Sequence, residues 1–233
     1  MNELWLGDCY ELIKKIPDKS IDLVYTDLPY LYEDGGNSQT ELGNRMRRKR
    51  SELIDIRDGC DLSILDELCR VTKTNYIYMW VSTKQINDML NYFKDKARVN
   101  ILVWCKTNPS PTTNNCWLPD VEYCLCFKGE GSPRYNDAYD LKSKWFVSAT
   151  NKDDKDKYYH PTIKPLELVK KHLKHSTNEN DIVLDPFCGS GTTLKACQEL
   201  NRQYIGIEIN EKYYNIAKDR LNNINAKGEV SLF

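Results

Sequence analysis

The residues best suited to chemistry lie in two short segments. One is Asp185-Pro-Phe-Cys-Gly-Ser-Gly-Thr-Thr, which follows the apolar run Asp181-Ile-Val-Leu and opens a helical pattern. Gly189 and Gly191 permit a tight turn and let a ligand approach the backbone. A second apolar run ends in Gly206-Ile-Glu-Ile. Its Glu208 falls about 20 residues past the turn, where a carboxylate can hold two ribose hydroxyls. We read this as a nucleoside-binding βαβ unit. It is not a phosphate loop, because no Gly-Lys-Ser/Thr follows, and only two glycines of a dinucleotide fingerprint are present. Asp185 would repel a pyrophosphate and suits a ligand with a cationic amino-acid end. The other segment is Thr26-Asp-Leu-Pro-Tyr, which closes the run Ile21-Asp-Leu-Val-Tyr. A carboxylate, a proline and an aromatic at the carboxyl end of a buried strand occupy the ligand crevice of an open α/β sheet.

The elements that must position these residues follow from periodicity. Residues 21–26, 76–81, 99–105, 121–127, 181–185 and 204–207 read as strands, with a short apolar segment at 4–9. Residues 10–16, 61–69, 83–93, 191–200 and 211–223 read as helices, and Pro165 opens another at its first position. This alternation predicts an α/β fold with a mainly parallel, seven-stranded sheet. The 21–26 and 181–185 strands should be neighbours at the switch point, bringing Asp27 and Gly189 into one cleft. Residues 31–52 form a long polar loop carrying Arg45, Arg47, Arg48, Lys49 and Arg50. Residues 129–159 are poor in aliphatic side chains and read as a small inserted lobe.

The 233 residues are 40% hydrophobic, 29% charged and 11% aromatic. That composition suits one globular domain spanning 1–233 and excludes collagen-like or disordered classes. No run of 18 apolar residues offers a membrane span, and Met1-Asn-Glu-Leu-Trp lacks the basic-then-apolar pattern of a secretory signal. The nine cysteines lack zinc-ribbon or disulfide-framework spacing. Free thiols in a reducing cytoplasm are expected, with no metal site. A net charge of −1 gives no global pull on nucleic acid, although a local patch can still bind it.

Three segments together carry a family resemblance. Asp27-Leu-Pro-Tyr resembles the Asp-Pro-Pro-Tyr motif of amino-group DNA methyltransferases. The glycine-rich segment resembles their S-adenosylmethionine motif, and His160-Pro-Thr-Ile-Lys-Pro resembles the element that precedes it. The catalytic motif comes first in the chain, an order similar to the circularly permuted β class and to its small solitary or phage-type adenine-N6 enzymes. The resemblance implies a Rossmann-like methyltransferase fold with a small recognition lobe. It implies catalytic roles for Asp27, Leu28, Pro29 and Tyr30. It implies cofactor contacts from Asp8, Cys9, Asp27, Lys164, Asp185, Phe187, Gly189, Ser190, Gly191, Thr192 and Glu208. In the same reading, Lys164 lies near the cofactor's carboxylate, and 129–159 stands in the place of a target-recognition region. Residues 103–109 resemble the border of the target-base pocket. The implied partner is double-stranded DNA; a homodimer and a cognate restriction enzyme are left open.

The chemistry these residues would perform is methyl transfer to an exocyclic amine, whose lone pair is delocalised into its ring. Two acceptors aimed at the N–H groups, the Asp27 carboxylate and the carbonyl of residue 28, can localise it. Tyr30 offers a stacking face for a base rotated out of the duplex. Leu28 stands where the motif has proline, which loses a fixed φ. Asp27 favours adenine N6; serine is more usual there for cytosine N4. The rivals are a cytosine-N4 enzyme and a catalytically silent DNA-binding relative. The permuted order argues against RNA and protein-glutamine methyltransferases. The lack of any Pro-Cys dipeptide argues against a C5-cytosine enzyme, and the missing His-x-Glu and Pro-Cys-x-x-Cys signature argues against a zinc deaminase. The basic cluster 45–50, just after the catalytic motif, is read as a DNA phosphate contact. His172 and His175, on a lysine-rich helix, are read as surface residues.

Overall fold

The computed structural model describes residues 1–29, 61–111, 117–133, 138–150 and 163–222. Tyr30, the basic loop with Arg45, Arg47, Arg48, Lys49 and Arg50, and His160 lie outside the described residues. The strands are β1 (Asn2–Leu6), β2 (Leu23–Asp27), β3 (Ile77–Val81), β4 (Arg98–Lys106), β5 (Val121–Lys128), β6 (Trp145–Ser148), β7 (Ile182–Asp185) and β8 (Gln203–Glu208). The α-helices are α1 (Cys9–Leu12), α2 (Ser63–Val71), α3 (Ile86–Phe93), α4 (Leu166–Ser176), α5 (Thr192–Glu199) and α6 (Glu211–Leu221). Pro165 sits one residue before α4, at its cap.

The strands form a single sheet in the order β1-β8-β7-β2-β3-β5-β4-β6. Every pairing is parallel except those of β5, which is antiparallel to both β3 and β4. A central parallel strand is buried on both faces, so it must be apolar along its length. Residues 23–26 of β2 and all of β3 are buried. On one face Ile64, Leu65 and Leu68 of α2 and Met89 and Phe93 of α3 pack on Val24, Ile77, Met79 and Phe127. On the other, Leu168 and Leu173 of α4 and Leu194 of α5 pack on Leu23, Tyr25, Tyr78 and Val183.

Among the described residues the sheet has eight strands, where seven were expected. The additional one, β6, comes from the stretch read as an insertion. Its four residues pair with β4 from Val103↔Trp145 to Lys106↔Ser148. Lys171 of α4 fixes its approach by donating to the carbonyls of Ser143 at 2.9 Å and Trp145 at 3.0 Å. The run Trp145-Phe-Val-Ser is apolar but only four residues long and stands in a stretch otherwise poor in aliphatic side chains, so it does not announce itself. All seven cysteines among the described residues are free thiols.

The expected adjacency holds: Leu23 and Val24 of β2 lie opposite Val183 and Leu184 of β7. From β2 the chain crosses to β3, and from β7 it crosses the other way to β8. The two crossovers use helices on opposite faces, which opens a crevice at the carboxyl ends of β2 and β7.

Candidate active site

The glycine-rich turn is shaped by backbone need. Gly189 and Gly191 take φ of 52° and 77°, a left-handed region costly for residues with a Cβ. A Cβ at Gly191 would come within 3.0 Å of the Ala217 Cβ. The Cys188 N–H donates to the Ile207 carbonyl at 3.0 Å, tying the turn to β8. Arg220 of α6, 2% exposed, donates to the Thr192 hydroxyl at 2.8 Å. It also reaches the Ser190 carbonyl at 3.4 Å. Ser190 and Thr192 are thus buried where they brace the turn. Nothing in the sequence marks Arg220, because a helical arginine reads as a surface residue.

Two buried carboxylates flank the turn. Asp185 ends β7 and accepts from the Phe187 N–H at 3.2 Å. Burial, reinforced by the negative charge of Asp27, raises its carboxyl to about 7. Glu208 ends β8 and accepts from the N–H groups of Gly189 at 2.9 Å and Asn210 at 2.8 Å. Burial pushes its carboxyl up, against the pull of those backbone donors. The Gly7 N–H donates to the Glu208 carbonyl, which sets Asp8 beside this strand end. The Asp8 carboxylate caps α1 by accepting from the Tyr10 N–H at 2.9 Å. Cys9 is buried in the core on the α1 side, and Phe187 is half-buried.

Asp27 ends β2 across the crevice. Its carboxylate accepts from the ammonium of Lys164 at 2.5 Å. Lys164 is buried, lies 5.0 Å from the centre of the Trp80 ring, and is 3.1 Å from a carboxylate oxygen of Glu122. Glu122 on β5 also pairs with Lys106 on β4 at 2.7 Å. Burial alone would raise the Glu122 carboxyl, but the two cations outweigh it and hold it at about 2. The Leu28 N–H donates to the Trp80 carbonyl at 3.3 Å. The Pro29 carbonyl accepts from the Gln85 amide at 2.9 Å. Periodicity gives no signal for Glu122, Lys106 or Gln85, since each is one polar residue at a strand or helix end.

Beneath Lys164 lies an aromatic layer that corrects the reading of His172 as a surface residue. His172 is 7% exposed and stacks on Tyr78 with ring centres 5.1 Å apart. The Trp80 indole N–H can only donate, and it does so to the Tyr25 hydroxyl at 3.1 Å. That hydroxyl also shares a hydrogen bond with His172 Nδ1 at 3.1 Å. Burial, with the positive neighbours Lys171 and His175, lowers the imidazole to about 3 and keeps it neutral. His175 is half-buried.

The carboxyl ends of β7 and β8 therefore carry two buried carboxylates around the glycine-rich turn, and beside them runs a carboxylate–ammonium row at β2, β5 and β4. This is the architecture of a Rossmann-like transferase. The family model for N6/N4 enzymes, described as DNA methylase, matches residues 21–219. The chain is 31% identical to the type II methyltransferase M.HinfI of Haemophilus influenzae over 96% of its length and 69% of that protein. It is also 31% identical to the type II methyltransferase M2.LlaDCHI of Lactococcus lactis subsp. cremoris, over 93% of the chain and 87% of the relative. A solved M1.HpyAVI–SAM complex superposes with a TM-score of 0.71 at 28% identity, covering 95% of this chain and all of that one. The cytosine-N4-specific PvuII methyltransferase shares the fold alone, at TM-score 0.72 and 16% identity. The chain belongs to the N6/N4 DNA methylase family, whose enzymes use S-adenosylmethionine. Among the described residues, no helix is long and apolar enough to cross a membrane.

Proposed function

We propose that this chain methylates adenine N6 in duplex DNA after rotating the target base out of the helix. The observation that carries the reading is the pairing of β2 with β7, which sets Asp27 and the glycine-rich turn at neighbouring strand ends. The crevice fits a cationic nucleoside. Asp185 is a buried carboxyl that a positive ligand would ionise, and Glu208 is anchored to receive ribose hydroxyls. Asp8, Cys9, Phe187, Gly189, Ser190, Gly191 and Thr192 complete that side of the site, and Lys164 bridges it to Asp27.

When bound, S-adenosylmethionine supplies an activated methyl group. The chain's own residues do the rest. The Asp27 carboxylate and the Leu28 carbonyl accept from the target amine, Pro29 stiffens the turn, and Tyr30 stacks on the extruded base. Arg45, Arg47, Arg48, Lys49 and Arg50, next in the chain after the catalytic turn, neutralise phosphates beside that base. Residues 129–159 read the target sequence, and the work is done in the cytoplasm. The test is to incubate the protein with S-adenosylmethionine and unmethylated DNA of mixed sequence, then digest to nucleosides for mass spectrometry. N6-methyladenine is expected. N4-methylcytosine would keep the mechanism and overturn the base. Absence of any methylated nucleoside would overturn the reading.

A further inference from the structure

Four charged side chains alternate in sign along the active edge of the sheet: Asp27 on β2, Lys164 before α4, Glu122 on β5 and Lys106 on β4. The separations are 2.5 Å, 3.1 Å and 2.7 Å in that order. The two ammonium groups lie near indole rings, Lys164 at 5.0 Å from Trp80 and Lys106 at 5.3 Å from Trp104. Lys164 side-chain exposure is 7%, so its charge is poorly screened by water.

We propose that Glu122, clamped by Lys106, is a positioning residue that holds the Lys164 ammonium between two carboxylates, so that Lys164 steadies Asp27 without cancelling its charge. This rests on Asp27 being the acceptor for the target amine, as above. Positive charge develops on the amine nitrogen as the methyl group arrives, and a negative Asp27 stabilises it. The row of four is neutral overall. Replacing Glu122 by a neutral residue leaves one uncompensated positive charge where positive charge must grow. It also leaves Asp27 as the remaining carboxylate of the row beside Lys164, which weakens Asp27 as an acceptor. Asp185 and Glu208, the carboxylates read as holding the cofactor's cationic end and ribose, lie on β7 and β8 outside the row, and Glu122→Gln leaves Lys164 in place and paired with Asp27.

The experiment compares Glu122→Gln, which keeps shape and loses charge, with Glu122→Asp, which keeps charge and loses a methylene. Wild-type turnover on DNA is measured first, and its absence would refute the functional reading rather than this one. For Glu122→Gln, kcat should fall about tenfold or more while the calorimetric Kd for S-adenosylmethionine stays within about threefold. Glu122→Asp should retain more activity than Glu122→Gln. A purely packing role reverses that order, because glutamine is the better steric match. Equal or greater activity of the Gln variant relative to the Asp variant overturns the proposal. So does a Gln variant whose loss falls on cofactor affinity. If Glu122→Gln fails to fold, Glu122→Met, which removes the same charge at similar length, carries the same comparison of kcat against Kd, with a kcat loss at unchanged Kd expected and any other result overturning it.

Discussion

Cofactor affinity should fall steeply with acidity below neutral pH, and Asp185 should be the cause. The residue is 3% exposed, and burial holds its carboxyl at about 7 in the free protein. A cationic ligand gains from the ionised form only. The apparent Kd then scales as one plus ten to the power (pKa − pH), which is about 2 at pH 7 and about 100 at pH 5. Between those limits Kd should weaken about 50-fold, equivalent to roughly 2 kcal/mol. The window stops at pH 7 because an α-amino group such as the cofactor's titrates at about 7.7–8.0. His172 cannot contribute, since its imidazole lies at about 3. Glu208 is shifted in the same direction, so a variant is needed to separate the two. Asp185→Asn should bind weakly, with a Kd nearly flat from pH 5 to 7 by calorimetry. A flat wild-type curve, or a slope that survives Asp185→Asn, refutes the reasoning.

The same group fixes the sign of a stability effect. Its folded-state value lies above the unfolded value of about 3.9. The neutral acid therefore stabilises the free protein at low pH, and that contribution is lost as pH rises through about 7. Asp185→Asn should remove this component of the pH dependence of Tm.

Two further perturbations probe the other side of the crevice. Asp27→Ala should lower kcat by about a thousandfold, the scale of losing a preorganised electrostatic partner. Cofactor binding should persist in part, because Glu122 remains to pair with Lys164; full turnover would remove Asp27 from catalysis. Reversing the charges of Arg45, Arg47, Arg48, Lys49 and Arg50 should weaken DNA binding. It should also flatten the dependence of log K on log salt, by about 0.9 for each phosphate that the variant no longer neutralises. An unchanged slope would assign the cluster to solvent.

What the sequence revealed and what it hid divide along physical lines. Strands β2, β7 and β8 were legible because strands buried on both faces must be apolar throughout. The glycine-rich turn was legible because its left-handed positions admit few other residues. Pairings between distant polar residues left no local trace. Lys164 meets Asp27 across 137 positions and His172 meets Tyr25 across 147. On α4, His172 stands among Lys170, Lys171, Lys174 and His175, so its neighbourhood in sequence is polar. Its neighbourhood in space is Tyr25, Tyr78 and Trp80, and the Tyr25 hydroxyl is its hydrogen-bond partner. A histidine on a helix facing a tyrosine-rich sheet is the one cue that could have pointed inward.

Leu28, the departure that made a silent relative thinkable, is answered by the structure. Proline at this position would fix φ but could not donate. Leucine donates its N–H to the Trp80 carbonyl and extends the β2–β3 ladder one residue beyond Asp27. Its side chain is 2% exposed and packs in the core. The following Pro29 carbonyl is held by Gln85, whose own side-chain oxygen accepts from the Ser82 N–H and hydroxyl at 3.0 and 2.9 Å. Each hydrogen bond contributes about 1 kcal/mol net, and the restraint of a compatible proline about 0.4–1 kcal/mol. The Leu28 hydrogen bond and its buried side chain therefore offset the missing ring. Ladder and packing thus hold the turn where the motif has a covalent restraint, and Leu28 gives no physical ground for a loss of catalysis.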